Sequence, residues 1–222
     1  MRAALYWAPA PGNPLWELGC RWLGRDACSG ELTAQPDVPG IAALTQEPRH
    51  YGFHATLRPP MRLAGTWAAF RDTAAEVARG VQPFALPPLE LVNLHGFLAL
   101  RESTPCPGLQ ALAERCVELT EPQRMPASAE ELRRRRAGSL SARQDALLAR
   151  WGYPYVMEEW FFHLTLTRRL DGAELTAVRD AAARFFEPVL SVTHRVEDIC
   201  VFVQDGGDFQ IKQRFRLGRP PF

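Results

Sequence analysis

The chain has 222 residues, and 26 Lys+Arg against 25 Asp+Glu leave a formal net charge of +1. An apolar fraction of 46% with 23% charged residues excludes a disordered chain, and the length buries a core as one large domain or two small lobes. Charge this near neutrality disfavours bulk electrostatic binding of long nucleic acid, although a local basic groove stays compatible with it. The five cysteines (Cys20, Cys28, Cys106, Cys116, Cys200) form no CxxC pair and read as reduced thiols of a cytoplasmic protein, not a disulfide framework or a thiolate metal site. The apolar run over residues 3–8 is too short for a secretory leader, and no stretch reaches the ~18 apolar residues of a membrane span.

Residues 2–8 read as a strand stopped by Pro9. Asn13 and Pro14 predict a helix start, running to about Gly24. Residues 25–48 read as a loop with one short helix, and a strand follows at about 51–58, ended by Pro59 and Pro60. Residues 66–79 carry helical apolar spacing with Gly80 as the stop. Segments 84–92 and 97–101 predict a hairpin around the turn 93–96. The second half opens with a helix at 107–121. Another helical stretch covers 126–151, where Ser128 and Glu131 predict a capping box. A strand at 160–168, a helix at 173–186 and strands near 190–203 and 208–217 complete the reading, with Asp205-Gly206-Gly207-Asp208 as a hairpin turn.

Residues 53–57 read FHATL and residues 162–166 read FHLTL, an offset of 109 residues. Each is followed by an amphipathic helix and then a hairpin, which predicts a duplicated chain with halves of about 1–104 and 105–222. Residues 124–151 have no counterpart at that offset and read as a helical insertion. In a strand, residues i and i+2 share a face. Phe53, Ala55 and Leu57 therefore point inward while His54, Thr56 and Arg58 point outward. In the second copy Phe162, Leu164 and Leu166 point inward, and His163, Thr165, Thr167 and Arg169 outward. Two imidazoles meeting across a groove suit general acid–base cleavage of a phosphodiester, because a pKa near 6.5 lets neutral and protonated forms coexist. The hydroxyls of Thr56 and Thr165 are candidate donors to the phosphate oxygens.

These motifs, His54-Ala55-Thr56 and His163-Leu164-Thr165, resemble the signature of the 2H phosphoesterase superfamily. YGFHATLRPP at 51–60 and the opening RAALYWAP are similar to a branch associated with phosphonate metabolism. The resemblance implies an α+β, bilobal fold with two antiparallel sheets flanking a central groove. It also implies metal-independent hydrolysis of a cyclic phosphate, with His54 and His163 catalytic. The superfamily implies a 2′,3′-cyclic nucleotide as substrate, and the branch a small phosphorylated sugar such as a ribose cyclic phosphate; both stay open. Lysine is common in the branch where this chain has Arg58. A non-catalytic module holding a nucleotide or sugar phosphate, and an RNA end-processing or ligase-like enzyme, are the competing readings.

Other residues carry weaker signals. His50 and His54 are four apart, which would suit a metal on a helix, but the strand reading sets them elsewhere, and neither a metal nor another cofactor is expected. His95 and His194 read as solvent-facing or structural. Tyr6, Tyr51 and Trp7 could stack on a base or sugar, although strand aromatics are more often core. Arg58 and Lys212 are candidates for a phosphate contact or for a solvated strand face. Between residues 124 and 150, seven arginines face three acids. Such a surface could steer an anion or cover the groove, though arginine-rich helix faces are usually only solvated.

Overall fold

The computed structural model describes residues 1–218. In chain order the elements are β1 (Arg2–Trp7), α1 (Pro14–Leu23), two one-turn helices α2 (Ile41–Leu44) and α3 (Gln46–Arg49), β2 (Ala55–Met61), α4 (Trp67–Arg79), β3 (Phe84–Leu86), β4 (Leu89–Leu94) and β5 (Phe97–Glu102). Then come α5 (Pro107–Thr120), α6 (Ala129–Arg136), α7 (Ala142–Trp151), β6 (Leu164–Thr165), α8 (Gly172–Leu190), β7 (His194–Val196), β8 (Asp198–Gln204) and β9 (Gln210–Arg216). The fold is α+β with antiparallel pairing. One sheet has the order β2-β1-β8-β9, a second β4-β5-β6, and β3 pairs with β7 as a two-stranded ribbon.

Strand–helix–strand–helix order occurs twice, as β1–α1–β2–α4 and as β5–α5–β6–α8, and in each run the second strand lies antiparallel to the first at a sheet edge. Each His-x-Thr therefore sits where the chain enters an edge strand. Helices α4 and α5 pack together, with α5 also on β2, while α1 and α8 pack together, with α8 also on β4. A single apolar core runs between these layers, and a small satellite of Val117, Leu147, Trp151 and Val156 lies under α7.

Local chemistry accounts for most boundaries. The Asn13 side chain accepts from the Leu15 N–H, Gly24 closes α1 at φ 81°, and Ser128 with Glu131 forms the predicted capping box. The predicted helix over 126–151 is two helices, because Ser141 and Gln144 form a second capping box that starts α7 afresh. The expected strand at 51–58 begins only at Ala55, since residues 41–49 coil into α2 and α3 and Gly52 turns the chain at φ 79°. The strand expected at 160–168 shrinks to Leu164–Thr165, and α8 runs on to Leu190, past the expected end at 186.

The packing of α1 against the first motif sets a tight constraint. Gly19 is buried, and a Cβ added there would stand 2.2 Å from the ring of Phe53. Phe53 is itself fully buried and directly precedes His54. Helix propensity alone favours alanine over glycine by ~1 kcal/mol, whereas overpacking a filled core costs about 1–3 kcal/mol. Gly19→Ala is therefore expected to lower the urea midpoint, and a raised midpoint would contradict this packing.

Candidate functional site

His54 and His163 line one cleft of ≈ 760 Å³ between the edge strands β2 and β6, together with Thr56, Thr165, Tyr6, Tyr51 and Trp160. The inward residues of both motifs, Phe53, Ala55, Leu57, Phe162, Leu164 and Leu166, are fully buried, while the histidines and threonines between them are half-buried. The two imidazoles are mounted alike. Nδ1 of His54 lies 2.8 Å from the carbonyl of Gly52, and Nδ1 of His163 lies 3.2 Å from the carbonyl of Phe161. A carbonyl only accepts, so each Nδ1 carries the proton and each Nε2 keeps its lone pair. Nε2 of His54 is 3.2 Å from the hydroxyl of Thr56.

Rings hold the imidazoles in place. Tyr6 stacks on His54 with centroids 3.8 Å apart, and Phe161 and Phe97 flank His163 at 4.9 and 6.0 Å. Two indoles brace the motifs across the two runs of elements. The Trp160 N–H donates to the Thr56 carbonyl at 2.7 Å, and the Trp22 N–H donates to the Leu166 carbonyl at 3.0 Å. Trp160 stands three residues before His163, as Tyr51 stands three before His54. That correspondence in the repeat is the signal by which Trp160 was detectable in the sequence.

The other sequence candidates fall differently. Tyr6 and Tyr51 line the cleft; Trp7 is core, packed on Phe162 at 5.7 Å. Arg58 is a correction. Tyr6 pairs with Thr56 but Leu5 pairs with Arg58, so Leu57 is an extra residue in β2. A bulge of one residue turns the following side chains to the opposite face. Arg58 is thereby buried, with Nη2 donating to Glu121 at 2.8 Å, and it does not line the cleft. Lys212 is a second correction: it donates to Gln210 at 2.8 Å and borders a separate cavity with Arg25 and Asp208.

His50 bonds Asp208, away from His54, and His194 is buried with Nε2 on the Val189 carbonyl. His95, given no role from sequence, sits exposed at the cleft rim in the β4–β5 turn with φ 51°. Thr167 is buried, its hydroxyl taken by the Leu98 N–H. Tyr153, Tyr155, Phe161 and four arginines (Arg2, Arg135, Arg168, Arg169) also line the cleft. Alternation places Arg169 on the His163 face; Arg2 opens β1, Arg135 lies on α6, and the others come from irregular segments where periodicity gives no signal. Among the described residues, no three His, Cys, Asp or Glu side chains cluster to hold a metal ion, and no helix is long and apolar enough to cross a membrane.

Burial lowers both imidazole pKa values. His54 is pushed down to about 4, with charge on His163 adding to the effect against the opposing Gly52 hydrogen bond. His163 is lowered chiefly by burial, with Arg101 adding to it. Both rings are consequently neutral near pH 7.

The fold and this cleft define an α+β protein built around a paired-histidine site. The chain belongs to the family described as "Protein of unknown function (DUF1045)", whose model matches residues 56–211. It is 38% identical over 198 residues to a "Ribose 1,5-bisphosphate phosphokinase PhnN" of Janthinobacterium sp. (strain Marseille), covering 83% of this chain and 43% of that protein. A protein of the same name from Laribacter hongkongensis (strain HLHK9) is 37% identical over 212 residues, covering 92% of this chain and 48% of its own length. The chain thus spans less than half of these curated relatives. Solved structures similar over 98% of this chain include Escherichia coli LigT with 3′-AMP (TM-score 0.46, 10% identity, 98% of that chain) and with NADP+ (TM-score 0.45, 12% identity, 98% of that chain). A phosphoesterase crystal structure matches at TM-score 0.45 and 12% identity, covering 98% of this chain and 99% of its own.

The His54 shift also enters stability. The unfolded imidazole takes a proton near pH 6.5 and the folded one only near pH 4. Over that window the unfolded state binds more protons, so stability is gained as pH rises towards 6.5 and lost as it falls. NMR titration should place His54 at about 4, and His54→Gln should flatten the acid limb of the stability–pH curve. A His54 titration at 6.5 or above would contradict the burial described here.

Proposed function

We propose that this chain is a 2H-type phosphoesterase that hydrolyses a cyclic phosphodiester by paired acid–base catalysis. The observation that carries the reading is the identical mounting of two imidazoles, each with Nδ1–H tied to the carbonyl two residues back, on one cleft. One neutral Nε2 takes a proton from water as its oxygen attacks phosphorus. The other ring, protonated, gives its proton to the ring oxygen as the P–O bond breaks, leaving a phosphomonoester and a free hydroxyl. The hydroxyls of Thr56 and Thr165 bind the non-bridging oxygens. Each histidine step is worth about 10²–10⁴-fold. An anionic ligand in the cleft raises the lowered pKa values and so supplies the protonated partner.

The runs β1–α1–β2–α4 and β5–α5–β6–α8 are read as a duplication, each copy contributing one His-x-Thr, with the second copy starting at β5 and not near residue 105. The curated relatives bear the name of a kinase of ribose 1,5-bisphosphate. Opening a cyclic phosphate on ribose would likewise yield a phosphorylated ribose. We take a ribose cyclic phosphate as the substrate and the cytoplasm as the place of action.

His54→Ala and His163→Ala are each expected to lower kcat on a ribose or 2′,3′-nucleoside cyclic phosphate by about 10²-fold or more, while the variants stay folded by circular dichroism at pH 7. Wild-type-like turnover in either variant would end the proposal. Phosphorus NMR should show a ring-opened monoester; a tightly bound, intact diester would assign the cleft to a binding module instead. Because catalysis needs one protonated and one neutral ring, and both pKa values in the free protein lie below 6.5, kcat/KM should fall as pH rises from 6.5 to 8. The decline should approach about tenfold per pH unit. A flat profile across that range would contradict acid–base use of these rings.

A further inference from the structure

The cleft is wider than two imidazoles and one phosphorus require, and its rim is basic. Four arginines line it against a single carboxylate, Glu47. Three of the four are engaged: Arg2 donates to Gln204, Arg168 is paired with Glu174, and Arg169 donates to the His95 carbonyl. Arg135 differs. It makes no hydrogen bond with any described residue, and its Nε is shielded from solvent without a partner. Its guanidinium lies over the ring of Tyr153, 5.0 Å from the centroid, and Tyr153 shares the cleft wall with Tyr51, whose ring is 6.1 Å from that of His54.

Nothing on its own helix accounts for this arrangement. Glu131 is committed to Arg62 and to the Ser128 N–H, and Glu130 is exposed. Helix α6 buries no residue and is held by the Arg62–Glu131 and Arg136–Asp145 ion pairs, each side chain substantially exposed. Such pairs contribute little to stability. A helix kept for packing would bury an apolar stripe; this one instead brings a stacked, unpaired guanidinium to the cleft.

We propose that Arg135, braced on Tyr153, recognises a second phosphate of the substrate, so that the site takes a cyclic phosphodiester carrying a separate phosphomonoester. The inference rests on the paired-histidine reading and names the substrate class for it. A planar guanidinium matches two oxygens of a phosphomonoester at once, and the aromatic face fixes its plane. The monoester's extra charge binds at a distance from the reacting diester, which both orients the ring between the imidazoles and discriminates against nucleosides lacking that group.

The test compares adenosine 2′,3′-cyclic phosphate with and without a 5′-phosphate. The wild-type protein should prefer the 5′-phosphorylated diester in kcat/KM by about tenfold or more, the discrimination of one charge-assisted hydrogen bond. In Arg135→Met that ratio should fall towards one, with Arg135→Lys in between. A wild-type ratio near one, or a ratio unchanged in Arg135→Met, overturns the proposal. If neither diester is opened, the acid–base reading has failed, and the subsite is judged by calorimetric binding of ribose 5-phosphate. Affinity about tenfold weaker in Arg135→Met upholds it, and equal affinity overturns it.

Discussion

Two indole hydrogen bonds set the spacing on which this site depends. Trp160, just upstream of the second motif, donates to the backbone of Thr56 in the first, and Trp22, from the helix before the first motif, donates to Leu166 beyond the second. A buried indole N–H without an acceptor is costly, as is the orphaned carbonyl opposite it. The edges of two different sheets therefore meet at one separation. Carbonyl tethers at Gly52 and Phe161 then fix the tautomer and direction of each imidazole.

The bulge at Leu57 decides which side chains the cleft receives. Before it, β2 presents Thr56 to the cleft; after it, Arg58 turns into the protein and meets Glu121. A buried guanidinium in a charged pair contributes to a unique arrangement more than to net stability. Here it ties β2 to the segment after α5, beneath the strand that carries Thr56. Cleft and support thus come from successive residues of one strand.

Electrostatics divides the cleft into two regions. The imidazole platform is shielded by Tyr6, Phe97 and Phe161, and burial keeps both rings neutral near pH 7. The rim is arginine-rich. With both rings uncharged the lone pairs at Nε2 are free, while the rim attracts anions. A ligand that crosses from rim to platform brings its own charge, and with it the proton affinity that acid–base chemistry requires.

The repeated FHxTL pattern was enough to place apolar residues inward and imidazoles outward in both copies, because alternation in a strand follows from backbone geometry alone. Capping by Asn13 and Ser128 was equally legible, since those bonds span at most three residues. Arg58 was misplaced for the converse reason: a bulge is created by register with β1, which no alternation in residues 51–58 encodes. Lys212 likewise sat on a correctly expected strand whose exposed face borders a different cavity. Tyr153 comes from a turn that nothing local marks, and Arg135 belongs to the arginine-rich stretch read as an anion-steering surface, with nothing in the sequence to single it out from its neighbours. Sequence fixed the chemistry of the two motifs because neighbouring residues determine it. Their convergence, and the arginine and tyrosine beside them, were decided only by contacts between segments about a hundred residues apart, which the folded chain alone specifies.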